Sequence, residues 1–189
     1  MASQYSYQLR IPKDRIAVII GKAGETKKEL EKYTGTTIKI DSNEGEVTIS
    51  GTDALCLYNS REVIKAIARG FNPELAVLLL KGDYSLEIIE LRDFCKTKND
   101  EKRLKGRVIG MEGKSRRTIE ELTKVYISVY GKTIALIGEA SFVPIAKRAI
   151  EALLSGSPHS NVYRWLERQR REMRRMYATG EIDEKYGEP

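Results

Sequence analysis

Ile19-Ile20-Gly21-Lys22-Ala23-Gly24-Glu25 and Val108-Ile109-Gly110-Met111-Glu112-Gly113-Lys114 share one pattern: an apolar pair, a glycine, two variable residues, a second glycine and a charged run of helical character. Working outward from them, the surroundings repeat as well. Downstream, at the same distance, come β-like segments carrying Ile38 and Ile40 in one copy and Ile127 and Val129 in the other. A second strand-like run follows each, Glu46 to Gly51 and Thr133 to Gly138, and then a helical pattern. Upstream, Tyr5 to Ile11 alternates so that Tyr5, Tyr7, Leu9 and Ile11 share a face, which predicts a strand with one buried side. Tyr84 to Leu91 is its counterpart.

Punctuation residues divide these runs. Pro12 predicts a helix entrance and Asp14 suits the positive end of that helix. Gly35 predicts the end of a helix from Glu25 to Tyr33, and Ser42-Asn43-Glu44-Gly45 a hairpin loop. Asp53 predicts a cap on a long helix ending near Gly70. In the second copy, helices are predicted from Asp100 to Ile109, Ser115 to Tyr126 and Ser141 to Leu154. Strand–helix–helix–strand–strand–helix is the order of a type I KH module. The predicted fold class is therefore α+β: two tandem β-α-α-β-β-α units, each a three-stranded antiparallel sheet with three helices on one face, plus a C-terminal helix. The predicted boundaries are 1–70 for the first unit, 71–82 for a short apolar helical joint opened by Phe71-Asn72-Pro73, and 83–157 for the second unit. An Arg-rich helix at 158–177 and an acidic tail at 178–189 complete the chain.

The glycines carry the chemistry. A sugar-phosphate backbone must lie against the protein main chain at such a turn, where a Cβ would hold it off or forbid the required φ and ψ. The turn also opens a helix, whose first amides are unpaired and attract phosphate. In KH modules the clamp holds about four nucleotides, with bases over an apolar groove. The candidate RNA-binding residues are Gly21, Lys22, Ala23, Gly24, Lys27 and Lys28 in the first unit. In the second they are Arg107, Ile109, Gly110, Met111, Glu112, Gly113, Lys114, Arg116, Arg117, Ile127 and Val129.

Charge is modest in total and uneven along the chain. Lys and Arg outnumber Asp and Glu by 33 to 27, a net +6 with a pI near 9.2. Residues 102–117 hold seven cations against Glu112 alone, whereas residues 21–40 hold five lysines and three glutamates. That imbalance favours the second unit as the main clamp, with Glu112 pointing away; the alternative is that the first unit binds and the second is a scaffold. The helix with Arg164, Arg168, Arg170, Arg171, Arg174 and Arg175 against Glu167 and Glu172 is expected to add RNA contacts, to dock on a protein or to be solvated.

Other chemistries find little support. Cys56, Cys95 and the lone His159 make no tetrahedral zinc set and no nucleophile–base pair, so neither metal nor cofactor is expected. The GxxxxGK[ST] phosphate loop is absent and no Asp pair for Mg²⁺ stands out, which argues against a nucleotide hydrolase and against an enzyme in general. No apolar run approaches the roughly 18 residues of a membrane span, and Met1 to Arg10 lacks a signal core. A cytoplasmic protein with reduced thiols is expected.

Gly106-Arg107-Val108-Ile109-Gly110-Met111-Glu112-Gly113-Lys114 with Thr118-Ile119-Glu120 resembles the second KH unit of the small-subunit ribosome assembly factors called partner of Nob. Gly70-Phe71-Asn72-Pro73-Glu74 with Ala76-Val77-Leu78-Leu79-Leu80 is similar to that family's joint, and Gly156-Ser157-Pro158 with Val162-Tyr163 to its following segment. The compact length resembles the archaeal form. The resemblance implies a protein of ribosome biogenesis that binds near the 3′ end of 16S rRNA and assists the endonuclease that trims it. It also implies a link to the α subunit of translation initiation factor two. Two departures stand out: Met111-Glu112 replaces the usual basic residue in the second turn, and the first unit keeps a well-formed GxxG. Rival readings are an exosome-type RNA-decay accessory and a protein adaptor with vestigial KH units.

Overall fold

The structure is a computed structural model; it describes residues 5–178, with side chains through 175. The first unit runs β1 (Tyr5–Arg10), α1 (Lys13–Ile20), α2 (Glu25–Thr34), β2 (Thr37–Asp41), β3 (Glu46–Gly51) and α3 (Ala54–Ala68). A single turn, α4 (Pro73–Ala76), continues as a 3-10 turn at Val77–Leu80. The second runs β4 (Tyr84–Glu90), α5 (Lys98–Ile109), α6 (Lys114–Thr123), β5 (Tyr126–Tyr130), β6 (Thr133–Glu139), α7 (Val143–Leu154) and α8 (His159–Ala178). The chain divides between Leu86 and Glu87, inside β4, whose pairing with β6 gives it to the second sheet. The apolar joint lies in the first unit, packed on α3, and the Arg-rich helix lies in the second, packed on α6 and α7. The acidic stretch 179–189 lies outside the described residues.

Both sheets are antiparallel with the third strand of the unit in the middle: β1-β3-β2 and β4-β6-β5. Pairing Ile38 with Ile49 and Ile40 with Val47 puts the apolar positions of β2 and β3 on one face. There Ile38, Val47 and Ile49 are fully buried among Ile19, Leu30 and Ile64 of the three helices. The second core repeats this with Ile127, Leu136, Val108, Ile119 and Ile150, and Val162 and Leu166 of α8 extend it.

Local signals explain most boundaries. The Asp53 carboxylate accepts from the amides of Leu55 (2.8 Å) and Cys56 (2.9 Å), capping α3. Those two amides, Cys56 first, hold its carboxyl below the usual Asp value. Two boundaries and one buried face stand out against the sequence expectation. α5 begins two residues early because the Thr97 hydroxyl caps it, accepting from the Asp100 amide at 3.1 Å. α6 ends at Thr123, because Lys124 takes up a left-handed conformation (φ 58) where the first unit has Gly35 (φ 66). Tyr5 and Tyr7, on the face of β1 that alternation assigned to the core, are 53% and 45% exposed. Only Ile11 at the far end of that face is buried, while Arg61 stacks over the Tyr7 ring at 5.4 Å.

Candidate nucleic-acid interface

The two GxxG turns have one backbone. Gly21 and Gly110 lie at φ 70 and 72 with ψ near 180°, each donating to a carbonyl one turn back, Ala17 or Gly106. Ala23 (φ 52, ψ 26) and Glu112 (φ 51, ψ 27) are left-handed, as are Gly24 (φ 77) and Gly113 (φ 77). A left-handed residue with a Cβ costs about 1–2 kcal/mol, and two in homologous turns are retained.

The glycines of each pair serve different ends. A Cβ on Gly21 would meet the Thr26 hydroxyl at 2.1 Å, and one on Gly110 would meet the Ser115 amide at 2.7 Å. The first glycine is thus required by the fold, to let the turn close on the following helix. Gly24 and Gly113 have nothing within 4 Å of that position. They face open space at the start of α2 and α6, and no side chain caps either helix. The leading amide of each helix bonds within the turn, Glu25 N to Lys22 O and Lys114 N to Met111 O. The uncapped N-terminal turn that follows keeps the positive end of the helix dipole facing outward, which suits phosphate.

Beside each turn stands an apolar wall with a polar brace. The Glu31 carboxylate accepts from the Ile38 amide at 2.7 Å, and Glu120 does the same for Ile127 at 2.8 Å. β2 and β5 are edge strands, so this fastens each open edge to the facing helix. Each glutamate carries a cation, Lys27 at 3.8 Å and Arg116 at 3.6 Å.

Several candidates stand elsewhere than expected. The Arg107 guanidinium is held within the unit: its Nε donates to Leu153 O (2.9 Å) and its Nη2 to Ser157 O (2.6 Å), tying α5 to the end of α7. Ile127 is a core residue, 3% exposed, because its position on β5 points toward the helices. Lys27 and Arg116 are ion-paired within the groove wall, as Arg103 is with Asp100 and Lys105 with Glu101. The Lys105 bond also holds the Glu101 carboxyl below its usual value. Much of the positive run at 102–117 is therefore met internally. Arg117 reaches back to the Glu112 carbonyl at 2.8 Å and braces the turn. Exposed at the turns are Lys22, Ala23, Lys28, Met111 (81%), Glu112 and Lys114; Ile109 and Val129 remain partly open as wall residues. Their counterparts, Ile20 and Ile40, are half-buried in the first unit.

Sequence reasoning missed the braces. Glu31 and Glu120 sit seven residues before the amides they hold, identically in both units, and the repeat itself was the signal. It also missed Arg15, which donates to the carbonyls of Ile67 and Phe71 as Arg107 does to Leu153 and Ser157. Among the described residues no helix is long and apolar enough to cross a membrane, and no cluster of His, Cys, Asp and Glu could hold a metal ion.

Comparison with known proteins agrees with this geometry. Residues 6–66 match the KH domain family, and residues 85–171 match the eukaryotic type KH-domain (KH-domain type I). A KH domain-containing protein of Methanocaldococcus jannaschii is 50% identical over 171 residues, covering 88% of this chain and 75% of that protein. The pre-rRNA-processing protein pno1 of Aspergillus fumigatus is 31% identical over 115 residues, 59% of this chain and 46% of its own length. Dim2p in the crystal structure of the a/eIF2alpha-aDim2p-rRNA complex from Pyrococcus horikoshii superimposes with a TM-score of 0.84 at 48% identity. That match covers 89% of this chain and 96% of Dim2p. With two KH units and these relatives, the chain belongs to the partner of Nob (Pno1/Dim2) family of tandem KH-domain proteins.

Proposed function

We propose that this chain holds single-stranded RNA in both KH units, near the 3′ end of small-subunit rRNA, and assists its maturation without itself catalysing cleavage. The observation that carries the reading is the duplicated turn: two backbones alike to within a few degrees, each ending on a glycine that faces empty space at an uncapped helix. Phosphates lie against the N-terminal turns of α2 and α6. Lys22 and Lys28 attract them in one unit, and Lys114 and Arg117 in the other. Bases lie over Ile20 and Ile40, and over Ile109, Met111 and Val129. Equal turn geometry favours two working clamps over one clamp and a scaffold. The rRNA assignment is supported by the Aspergillus relative, a pre-rRNA-processing protein, and by the Pyrococcus complex with rRNA. The same complex supports the α subunit of initiation factor two as a partner, and family membership supports the rRNA-trimming endonuclease.

The test is Gly24→Asp and Gly113→Asp, alone and together. Aspartate tolerates positive φ and sends a carboxylate into the anion site. Each single change is expected to weaken binding of a 3′-terminal 16S rRNA oligonucleotide by about tenfold or more, and the pair to abolish it. Undiminished binding by the double variant would refute the clamp. Equal binding of a scrambled oligonucleotide would refute the rRNA assignment alone.

A further inference from the structure

The repeat runs past the sixth element of each unit. After α3 the chain turns at Gly70 (φ 101), with Phe71 N bonded to Ala66 O at 3.2 Å. After α7 it turns at Gly156 (φ 98), with Ser157 N bonded to Ala152 O at 2.9 Å. The next helices open alike: the amides of Leu75 and Ala76 bond to Asn72 O, and those of Asn161 and Val162 to Pro158 O. Ala76 and Val162 are the matching buried anchors. From there the copies part. α4 stops at Ala76 and tightens into its 3-10 turn, while α8 continues, buries Leu166 and covers α6.

Matched positions show what this leaves open. On α6, Ser115 and Ile119 are buried, and Thr118 and Leu122 half-buried. On α2, Thr26 is half-buried and Leu30 buried, but Glu29 is exposed and Tyr33 is 61% exposed. These four, spaced i, i+3, i+4 and i+7, form one wall of a groove of about 480 Å³. Pro73, Glu74 and Val77 form the other, so the groove lies wholly in the first unit. Lys27 and Glu31 point from the opposite side of α2 toward β2. The groove and the RNA trough therefore lie on different faces of one helix.

We propose that this groove is a docking site for a basic amphipathic helix of a partner protein, seated on α2 as α8 is seated on α6. The unit supplies the template: Val162 and Leu166, an i, i+4 pair, are how α8 engages the matching surface. The rim sets the charge. Glu29 and Glu74 are exposed, and neither has an ion-pair partner among the described residues. The occupant is a helix with an apolar i, i+4 pair against Tyr33 and Val77, flanked by Lys or Arg toward the two glutamates. RNA, the other macromolecule this chain meets, is repelled by that rim.

The probe is a helix-locked, fluorescein-labelled peptide with the sequence of residues 159–175, titrated with the full chain by fluorescence anisotropy. A locked peptide of scrambled order serves as the charge control. We expect micromolar binding, tighter than the scrambled peptide. Tyr33→Asp, and separately Glu29→Lys with Glu74→Lys, should weaken it about tenfold, with no loss of RNA affinity in either case. Gly24→Asp should leave peptide binding intact. Binding no better than the scrambled control, or indifference to the Tyr33 and glutamate variants, overturns the proposal. So does sedimentation showing a dimer that Tyr33→Asp dissolves, since the occupant would then be a second copy. Tyr33, Glu29 and Glu74 are exposed, and retained RNA binding verifies the fold of their variants, as retained peptide binding does for Gly24→Asp.

Discussion

Gly21 and Gly24 look interchangeable in a motif, yet they answer to different demands. Gly21 combines positive φ with a blocked Cβ position, so Gly21→Ala should destabilise the first unit by roughly 3 kcal/mol in urea unfolding. Gly24→Ala meets only the conformational penalty, about 1 kcal/mol, but sets a methyl where the strand must lie, so RNA affinity should fall more than stability. The buried hydroxyls give a second contrast. In the first unit Thr34 bonds Thr36 (2.9 Å) and Thr36 bonds Ser60 (2.9 Å), whereas the matching places of Thr36 and Ser60 hold Val125 and Ala146. Leaving one member unpaired costs more than removing both. Thr36→Val should therefore cost about 1–2 kcal/mol, and adding Ser60→Ala should recover most of it in the same denaturant series. A double variant no more stable than the single one would show that Ser60 finds another partner.

Elements were legible where a single residue type decides them. Asp53 before an apolar-periodic run fixed the start of α3, and glycine spacing fixed both turns. Where a residue acts against its type, the reading failed. Lys124 does a glycine's work, and Tyr5 and Tyr7 are apolar enough to suggest burial on a face that is shielded only toward Leu9 and Ile11. The Asp53 cap has a definite pH signature. Its folded pKa is lowered, so its contribution is present above the unfolded value of about 3.9 and is lost as pH falls through the folded one. Asp53→Asn keeps an acceptor without the titration. The gap in urea midpoint between wild type and this variant should shrink between neutral pH and about pH 3, and a constant gap would contradict the cap.

Across the molecule, charge counted along the sequence and charge available at the surface are different quantities. The run at 102–117 suggested that the second clamp dominates. Folding sends Arg107 to carbonyls and pairs Arg103, Lys105 and Arg116 with carboxylates, none of which a linear count can see. RNA affinity should fall with salt, and the slope of log K against log salt reports the phosphates engaged, at about 0.7 per contact on a single strand. Lys114→Gln should lower that slope by about 0.7, while Arg107→Gln should leave it unchanged and instead reduce stability. The two arginine ties also bear on protein engineering. With the glycines superimposed, Arg15 shares a column with Leu104, and Val18 shares one with Arg107. Each copy reaches matching carbonyls from a different rung. A consensus repeat averaged column by column would install either both guanidinium groups or neither, so an idealised tandem array should be built by copying one whole unit.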